Sequence, residues 1–367
     1  MGVETINFTR GVPATESFPT AELIDAATAA FQSHGNQMLQ YGPSRGFEPL
    51  RQWLADWQDV DVDRVITSNG SLQLVEFLCL HMIEPGDLVF TESPSYDRTL
   101  GLLRRHGARV VGIPMEPDGP DVAALEAALT REVPKFFYLI PDFQNPAGAT
   151  CSGTKRRQIA ALAVRFNLLL VEDAPYRLLR YRGVEEPTLY SLAPDRTLHM
   201  GSFTKLIAPG VRCGYMIGDP AIIGKLATVA EDTYISPGYV AQAITWEWCR
   251  RGLLPPQIER LKALYAPRLD ACIAGLDKYM PDAKATRPDG GFFISLTLPE
   301  GVSTTAVRTQ ATAKGLNLAD GLAFFPDGGG ERFVRLPFCA LSPEQIDEGV
   351  RRLAEAVGET RSVTAAR

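Results

Sequence analysis

Between residues 64 and 217 the chain alternates short apolar runs with amphipathic stretches, and this alternation most constrains what it can fold into. The runs are Val65-Ile66-Thr67, Leu88-Val89-Phe90, Val110-Val111-Gly112-Ile113, Phe136-Phe137-Tyr138-Leu139-Ile140, Leu168-Leu169-Leu170-Val171, Leu198-His199-Met200 and Tyr215-Met216-Ile217. Several are apolar at consecutive positions, which suits strands covered on both faces. Between them, Ile159, Leu162, Ala163 and Phe166 recur at the spacing of one helix face. Strands that alternate with helices pair in parallel, because each helix carries the chain back across the sheet. The expected fold is α/β, with a mainly parallel seven-stranded sheet sandwiched by helices. Ligands of such sheets gather beyond the carboxyl ends of the strands.

The last hundred residues read differently. A long helix is expected over roughly 255–278, with Gly275 a weak point near its end. Phe292 to Leu296 and Arg332 to Leu336 read as strands. A closing helix starts at Ser342, with Pro343 at its first position and Gln345 three residues after the cap. Its apolar face is Ile346, Val350, Leu353 and Val357, and the polar tail from Glu359 to Arg367 reads as frayed. These elements define a smaller α+β C-terminal domain over 256–367, beside a large domain over 31–255 and an N-terminal segment, 1–30, serving the small domain and the substrate side.

Hydrophobic content of 45% and a net charge of −6 describe an ordinary soluble chain with no leaning toward nucleic acid. No apolar run is long enough to span a bilayer, so no membrane partner is expected. Met1 to Arg10 has no basic region leading into an apolar block, so no secretory signal is expected and the cytoplasm is the default location. The six cysteines form no C-x-x-C pair and the four histidines no H-x-x-x-H pair, so neither a disulfide frame nor a metal site is expected.

Chemistry-bearing residues cluster where these strands should end. Gly201 to Tyr215 offers the amine of Lys205, the hydroxyls of Ser202 and Thr204 and the guanidinium of Arg212, spaced by small residues. A primary amine able to condense with an aldehyde, beside groups suited to a phosphate, suggests pyridoxal phosphate. Leu170-Val171-Glu172-Asp173 delivers a carboxylate at a strand end, suited to pair with a pyridinium nitrogen, and Tyr176 follows three residues later. Asn145, held extended by Pro146, offers an amide. Gly70-Ser71-Leu72 opens a helix whose free amides suit a phosphate, and Tyr96 can stack on a planar ring. Singly, each has a plainer reading: a cap for Asp173, an Asn-Pro turn for Asn145, a capped helix start for Ser71, core packing for Tyr96, a solvated surface for Lys205.

Together, P-D-F-Q-N-P-x-G from Pro141, E-D-x-P-Y from Glu172 and G-S-F-T-K from Gly201 resemble the fold-type I, class I/II aminotransferases that depend on pyridoxal phosphate, in particular the 2-aminoadipate and kynurenine branch. The likeness runs from about Tyr41 to Val357. It implies that Lys205 holds the cofactor covalently and moves the substrate α-proton. It implies further that Asp173 pairs with the ring nitrogen, Asn145 and Tyr176 bond the phenolic oxygen, and Tyr96 stacks on the ring. Gly70, Ser71, Leu72, Ser202, Thr204 and Arg212 would surround the phosphate, and Arg335 would clamp the substrate carboxylate. Tyr41 would reach the phosphate of a neighbouring subunit, which implies a homodimer with a shared site. Position 72 is leucine where relatives often carry glutamine, and no winged-helix segment is expected ahead of the catalytic part. Arg10 departs from the widely shared residues and is a candidate for a distal carboxylate, with a surface salt bridge as its plainer role. The expected reaction moves an amino group from an L-amino acid to a 2-oxo acid by ping-pong kinetics. A lyase or another natural-product enzyme on the same cofactor, and a non-catalytic sensor module, stay open at this level.

Overall fold

The computed structural model describes residues 4–365, so the outermost positions of both expected terminal segments lie outside the described residues. The chain enters through β1 (Ile6–Phe8). Eight strands of one sheet follow: β2 (Val65–Ser68), β3 (Leu88–Ser93), β4 (Arg109–Glu116), β5 (Gly119–Pro120), β6 (Phe137–Leu139), β7 (Leu170–Asp173), β8 (Thr197–Ser202) and β9 (Gly214–Ile217). Their order across the sheet is β2-β9-β8-β7-β6-β3-β4-β5. The pairs β8–β7, β7–β6, β6–β3 and β3–β4 are parallel, while β9 runs antiparallel to both of its neighbours.

The seven expected strands are all present, and the count of seven is corrected to eight by β5. That strand is a two-residue hairpin mate of β4, and Gly-Pro has no apolar signature by which to find it. The apolar runs are continuous because neighbouring residues serve opposite faces. Val89, Tyr138 and Val171 join one hydrophobic cluster, while Leu88, Phe90, Phe137, Leu139 and Leu170 join another.

The remaining strands are β10 (Lys284–Ala285), β11 (Phe293–Thr297), β12 (Leu316–Leu318) and β13 (Phe333–Pro337). β10, β11 and β13 form a small sheet, and β1 pairs in parallel with β12. The long helix Leu254–Tyr279 serves two cores: Leu254, Leu261 and Tyr265 pack with the large sheet, and Leu269, Cys272 and Leu276 with the small one. Gly275 does not end this helix; a Cβ there would press on Val350, so glycine lets the final helix approach.

That final helix, Pro343–Ala365, starts as expected, with Ser342 Oγ accepting from Gln345 N at 3.3 Å and Gln345 Oε1 accepting from Ser342 N at 3.1 Å. The frayed tail is corrected: the helix persists to Ala365, and Lys314 Nζ reaches Glu359 at 2.7 Å. Tertiary contact holds turns that local polarity alone would release. Among the described residues no helix is long and apolar enough to cross a membrane, and no group of three or more His, Cys, Asp or Glu side chains could hold a metal. The six cysteines are free and buried.

Candidate active site

The carboxyl edge of the sheet gathers the site. Asp173 is the last residue of β7 and Ser202 the last of β8. Gly70 follows β2, Tyr96 follows β3 and Asn145 follows β6. Because β9 runs antiparallel, its beginning lies at this edge, so Arg212 arrives just ahead of it. A cavity of about 130 Å³ is lined by Gly70, Ser71, Leu72, Tyr96, Asn145, Asp173, Tyr176, Ser202, Thr204, Lys205 and Arg212. A second cavity, about 380 Å³, shares Tyr96, Asn145, Tyr176 and Lys205 and adds Arg10, Arg98, Phe293, Phe324 and Arg335. Of the residues singled out from the sequence only Tyr41 lines neither; it is 73% exposed.

Asp173 is buried and caps nothing. Its Oδ2 accepts from the Tyr138 hydroxyl at 2.6 Å, and its Oδ1 has no hydrogen-bond partner among the described residues. Burial raises this carboxyl to about 6, against the pull of the Tyr138 hydrogen bond and of the charges at His199 and Lys205. An unpaired oxygen on a buried acid costs free energy unless a ligand group completes it. A protonated ring nitrogen is such a group.

Lys205 is partly buried, and its Nζ donates to Gly11 O at 2.9 Å. The rings of Tyr176 and Phe292 stand 5.8 and 5.6 Å from that nitrogen. Burial lowers its affinity for a proton below that of an ordinary lysine, which favours the neutral, nucleophilic amine. Neither the Tyr176 hydroxyl nor Asn145 Nδ2 has a hydrogen-bond partner among the described residues, although both residues line the smaller cavity. They are two unused donors, as a phenolate oxygen requires.

The helix Ser71–Met82 begins at Gly70 with no side-chain cap, so the simple capped start is not what forms here. Its first amides are free for an anion. Gly70 has φ of 95°, and a Cβ there would collide with the Arg212 guanidinium, whose Nη2 donates to Asn69 O at 2.9 Å. Hydroxyls from Ser202 and Thr204 complete the lining. Such a cradle fits a phosphate, and with the Asp173 and Lys205 arrangement it fits pyridoxal phosphate.

Arg335 leaves the middle of β13 and is buried. Its Nη1 donates to Asn145 Oδ1 at 2.8 Å and its Nη2 to Thr9 O at 2.6 Å, while Nε is unpaired. Phe324 and Phe293 lie 4.5 and 5.0 Å from the guanidinium carbon. The Arg10 side chain is exposed and makes no ion pair or hydrogen bond among the described residues; its carbonyl accepts from Val12 N.

Sequence reasoning missed two buried polar residues: Tyr138, which bonds Asp173, and Glu92. Tyr138 reads only as part of an apolar run, and Glu92 is given no role. Glu92 lies inside β3, fully buried, where its Oε2 accepts from Ile140 N and Gln144 Nε2. The available signal was a hydroxyl and a carboxylate within runs otherwise destined for burial.

The family described as aminotransferase class I and II matches residues 3–353, and the chain belongs to that family. It is 35% identical to an aromatic-amino-acid aminotransferase of Thermococcus litoralis over 97% of this chain and 88% of that one. It is 33% identical to a 2-aminoadipate transaminase of Thermus thermophilus, over 96% and 90% of the two chains. An α-aminoadipate aminotransferase structure from Thermus thermophilus, complexed with N-(5'-phosphopyridoxyl)-L-leucine, superposes with a TM-score of 0.93 at 32% identity, covering 98% of this chain and 93% of that one. The protein is a pyridoxal-phosphate-dependent transaminase of fold type I.

Proposed function

We propose that this transaminase binds pyridoxal phosphate at the smaller cavity and uses the larger one for its amino-acid and 2-oxo-acid substrates. Lys205 anchors the cofactor, Asp173 takes its ring nitrogen, and Asn145 and Tyr176 take its phenolic oxygen. Tyr96 lies on the ring face. The amides of Gly70, Ser71 and Leu72, the hydroxyls of Ser202 and Thr204, and Arg212 hold the phosphate. Bound there, the cofactor supplies an aldehyde for the substrate's amino group and a cationic ring that draws electrons from the breaking Cα–H bond.

The remaining work belongs to the chain. The Lys205 amine takes the proton from the donor's α-carbon and, in the second half-reaction, gives one to the α-carbon of the acceptor, a task favoured by its lowered basicity. Arg335 holds the α-carboxylate, exchanging its bond to Thr9 O for one to substrate, with Phe293 and Phe324 keeping water from the guanidinium. Unpaired Arg10, lining the larger cavity, receives a distal carboxylate, so dicarboxylic amino acids such as the one in the Thermus relative's name are favoured substrates. The first 2-oxo acid departs before the acceptor enters, so the kinetics are ping-pong. Exposed Tyr41 serves the phosphate of a neighbouring copy, which makes the working unit a homodimer, with the cytoplasm its default location.

One observation carries this reading: an amine, a buried acid with an unpaired oxygen and an uncapped helix start line one cavity, though they leave three different strands. Protein purified with pyridoxal phosphate should absorb in the visible, and amino acids from a panel should bleach that band by half-reaction. Lys205→Ala should abolish both the band and turnover. A colourless wild type that cannot be reconstituted would defeat the proposal.

A further inference from the structure

Tyr138 occupies the centre of β6, between Thr91 of β3 and Val171 of β7. It is fully buried, yet its hydroxyl is not wasted: it donates to Asp173 Oδ2 at 2.6 Å. Phenylalanine would fill the same volume, and a buried hydroxyl is costly without a partner. The side chain therefore does something for Asp173 that packing does not demand.

Several groups face that carboxylate. His199 on β8, itself 2.9 Å from Glu172, and Lys205 both favour its charge. Glu92 on β3 would repel a second charge, but burial raises its carboxyl to about 8, so it is mostly neutral below that pH. Tyr96 and Tyr176 are phenols whose ionisation burial suppresses. Burial is the largest influence on Asp173 and disfavours its charge; the Tyr138 hydrogen bond is the largest of those that favour it.

A carboxylate and a pyridine nitrogen in a dry site share one proton. If it sits on nitrogen the ring is cationic; if it sits on oxygen both partners are neutral. A hydrogen bond donated to the carboxylate favours the first arrangement. We propose that Tyr138 is a positioning residue that, by donating to Asp173 Oδ2, keeps this carboxylate anionic and the shared proton on the cofactor's ring nitrogen. This rests on the reading of the smaller cavity as the pyridoxal phosphate site.

The experiment measures the dissociation constant of pyridoxal phosphate for wild type and Tyr138→Phe across pH, together with kcat and KM. Without the donor, Asp173 ionises at higher pH. The midpoint of cofactor affinity should move up by about one pH unit, with affinity about fivefold weaker near pH 6, approaching tenfold below pH 5, and nearly unchanged near pH 8.5. The kcat should fall while KM for the amino acid changes by less than about twofold. In an Asp173→Asn background, Tyr138→Phe should add no further loss. Should Tyr138→Phe fold poorly, 3-fluorotyrosine in place of Tyr138, a stronger donor of similar size, should move the midpoint down instead. An affinity loss equal at every pH, one that persists in the Asp173→Asn background, or an unmoved midpoint with fluorotyrosine would overturn the proposal. Wild type that binds no pyridoxal phosphate at any pH would instead sink the site assignment beneath it.

Discussion

Glu92→Gln should make the protein more stable at alkaline pH, and the structure sets the size of the effect. Glu92 is fully buried; Oε2 accepts from Ile140 N at 3.0 Å and Gln144 Nε2 at 2.9 Å, while Oε1 has no partner. Burial is the main reason its carboxyl rises from an ordinary 4.5 to about 8, with repulsion from Asp173 adding to it and the two hydrogen bonds opposing it. The unfolded chain releases this proton near 4.5 and the folded chain near 8, so between those values the folded state binds more protons. Stability therefore falls as pH rises through this window and levels off above it. Each pH unit of that gap is worth about 1.4 kcal/mol, giving a ceiling of roughly 4–5 kcal/mol. Relaxation and water entry around the charged form should leave about 2–3 kcal/mol. Glutamine keeps an oxygen to accept both hydrogen bonds and has no proton to lose. Urea unfolding followed by circular dichroism, at fixed protein and pyridoxal phosphate concentrations, should show the variant gaining about 2–3 kcal/mol on wild type between pH 5 and pH 8.5. A difference between the two proteins that is the same at both ends of that range would refute the argument.

Three further outcomes follow from the same geometry. Gly70→Ala places a Cβ against the Arg212 guanidinium at a φ of 95°, so pyridoxal phosphate affinity by absorbance titration should fall by at least about tenfold. Arg335→Lys replaces a fork by a point charge, so KM for amino acids should rise about 100-fold while the cofactor's visible band stays in place. Arg10→Gln should raise KM for glutamate and 2-aminoadipate about tenfold and leave leucine unchanged; equal KM values for acidic and neutral substrates would remove the distal-carboxylate role.

The alternation of apolar runs with amphipathic stretches carried the large sheet, because burial on both faces leaves a mark on every residue of a strand. Turn chemistry carried the start of the last helix, where Ser342 and Gln345 exchange bonds within one turn. Elements held by distant contacts left no such mark. β5 exists because Gly119 and Pro120 pair with β4, and the last turns of the final helix persist although their own residues are polar.

The site divides in the same way. Lys205, Asp173, Asn145, Tyr176 and Arg212 could be named from local motifs, since the chemistry of an amine, an acid, an amide, a phenol and a guanidinium is a property of the residue. What each of them touches is a property of the fold. Only packing of β6 against β7 brings Tyr138 up to Asp173, only packing of β3 against β6 sets Glu92 beside Ile140 N, and only the return of β13 sets Arg335 between Asn145 and Thr9. The sequence by itself determined which elements form and which reactive groups the chain owns, because both depend on short-range periodicity and residue chemistry. The tertiary structure alone decided which of those groups lose water and which atoms are left unpaired, because desolvation and hydrogen bonding join residues tens to hundreds of positions apart.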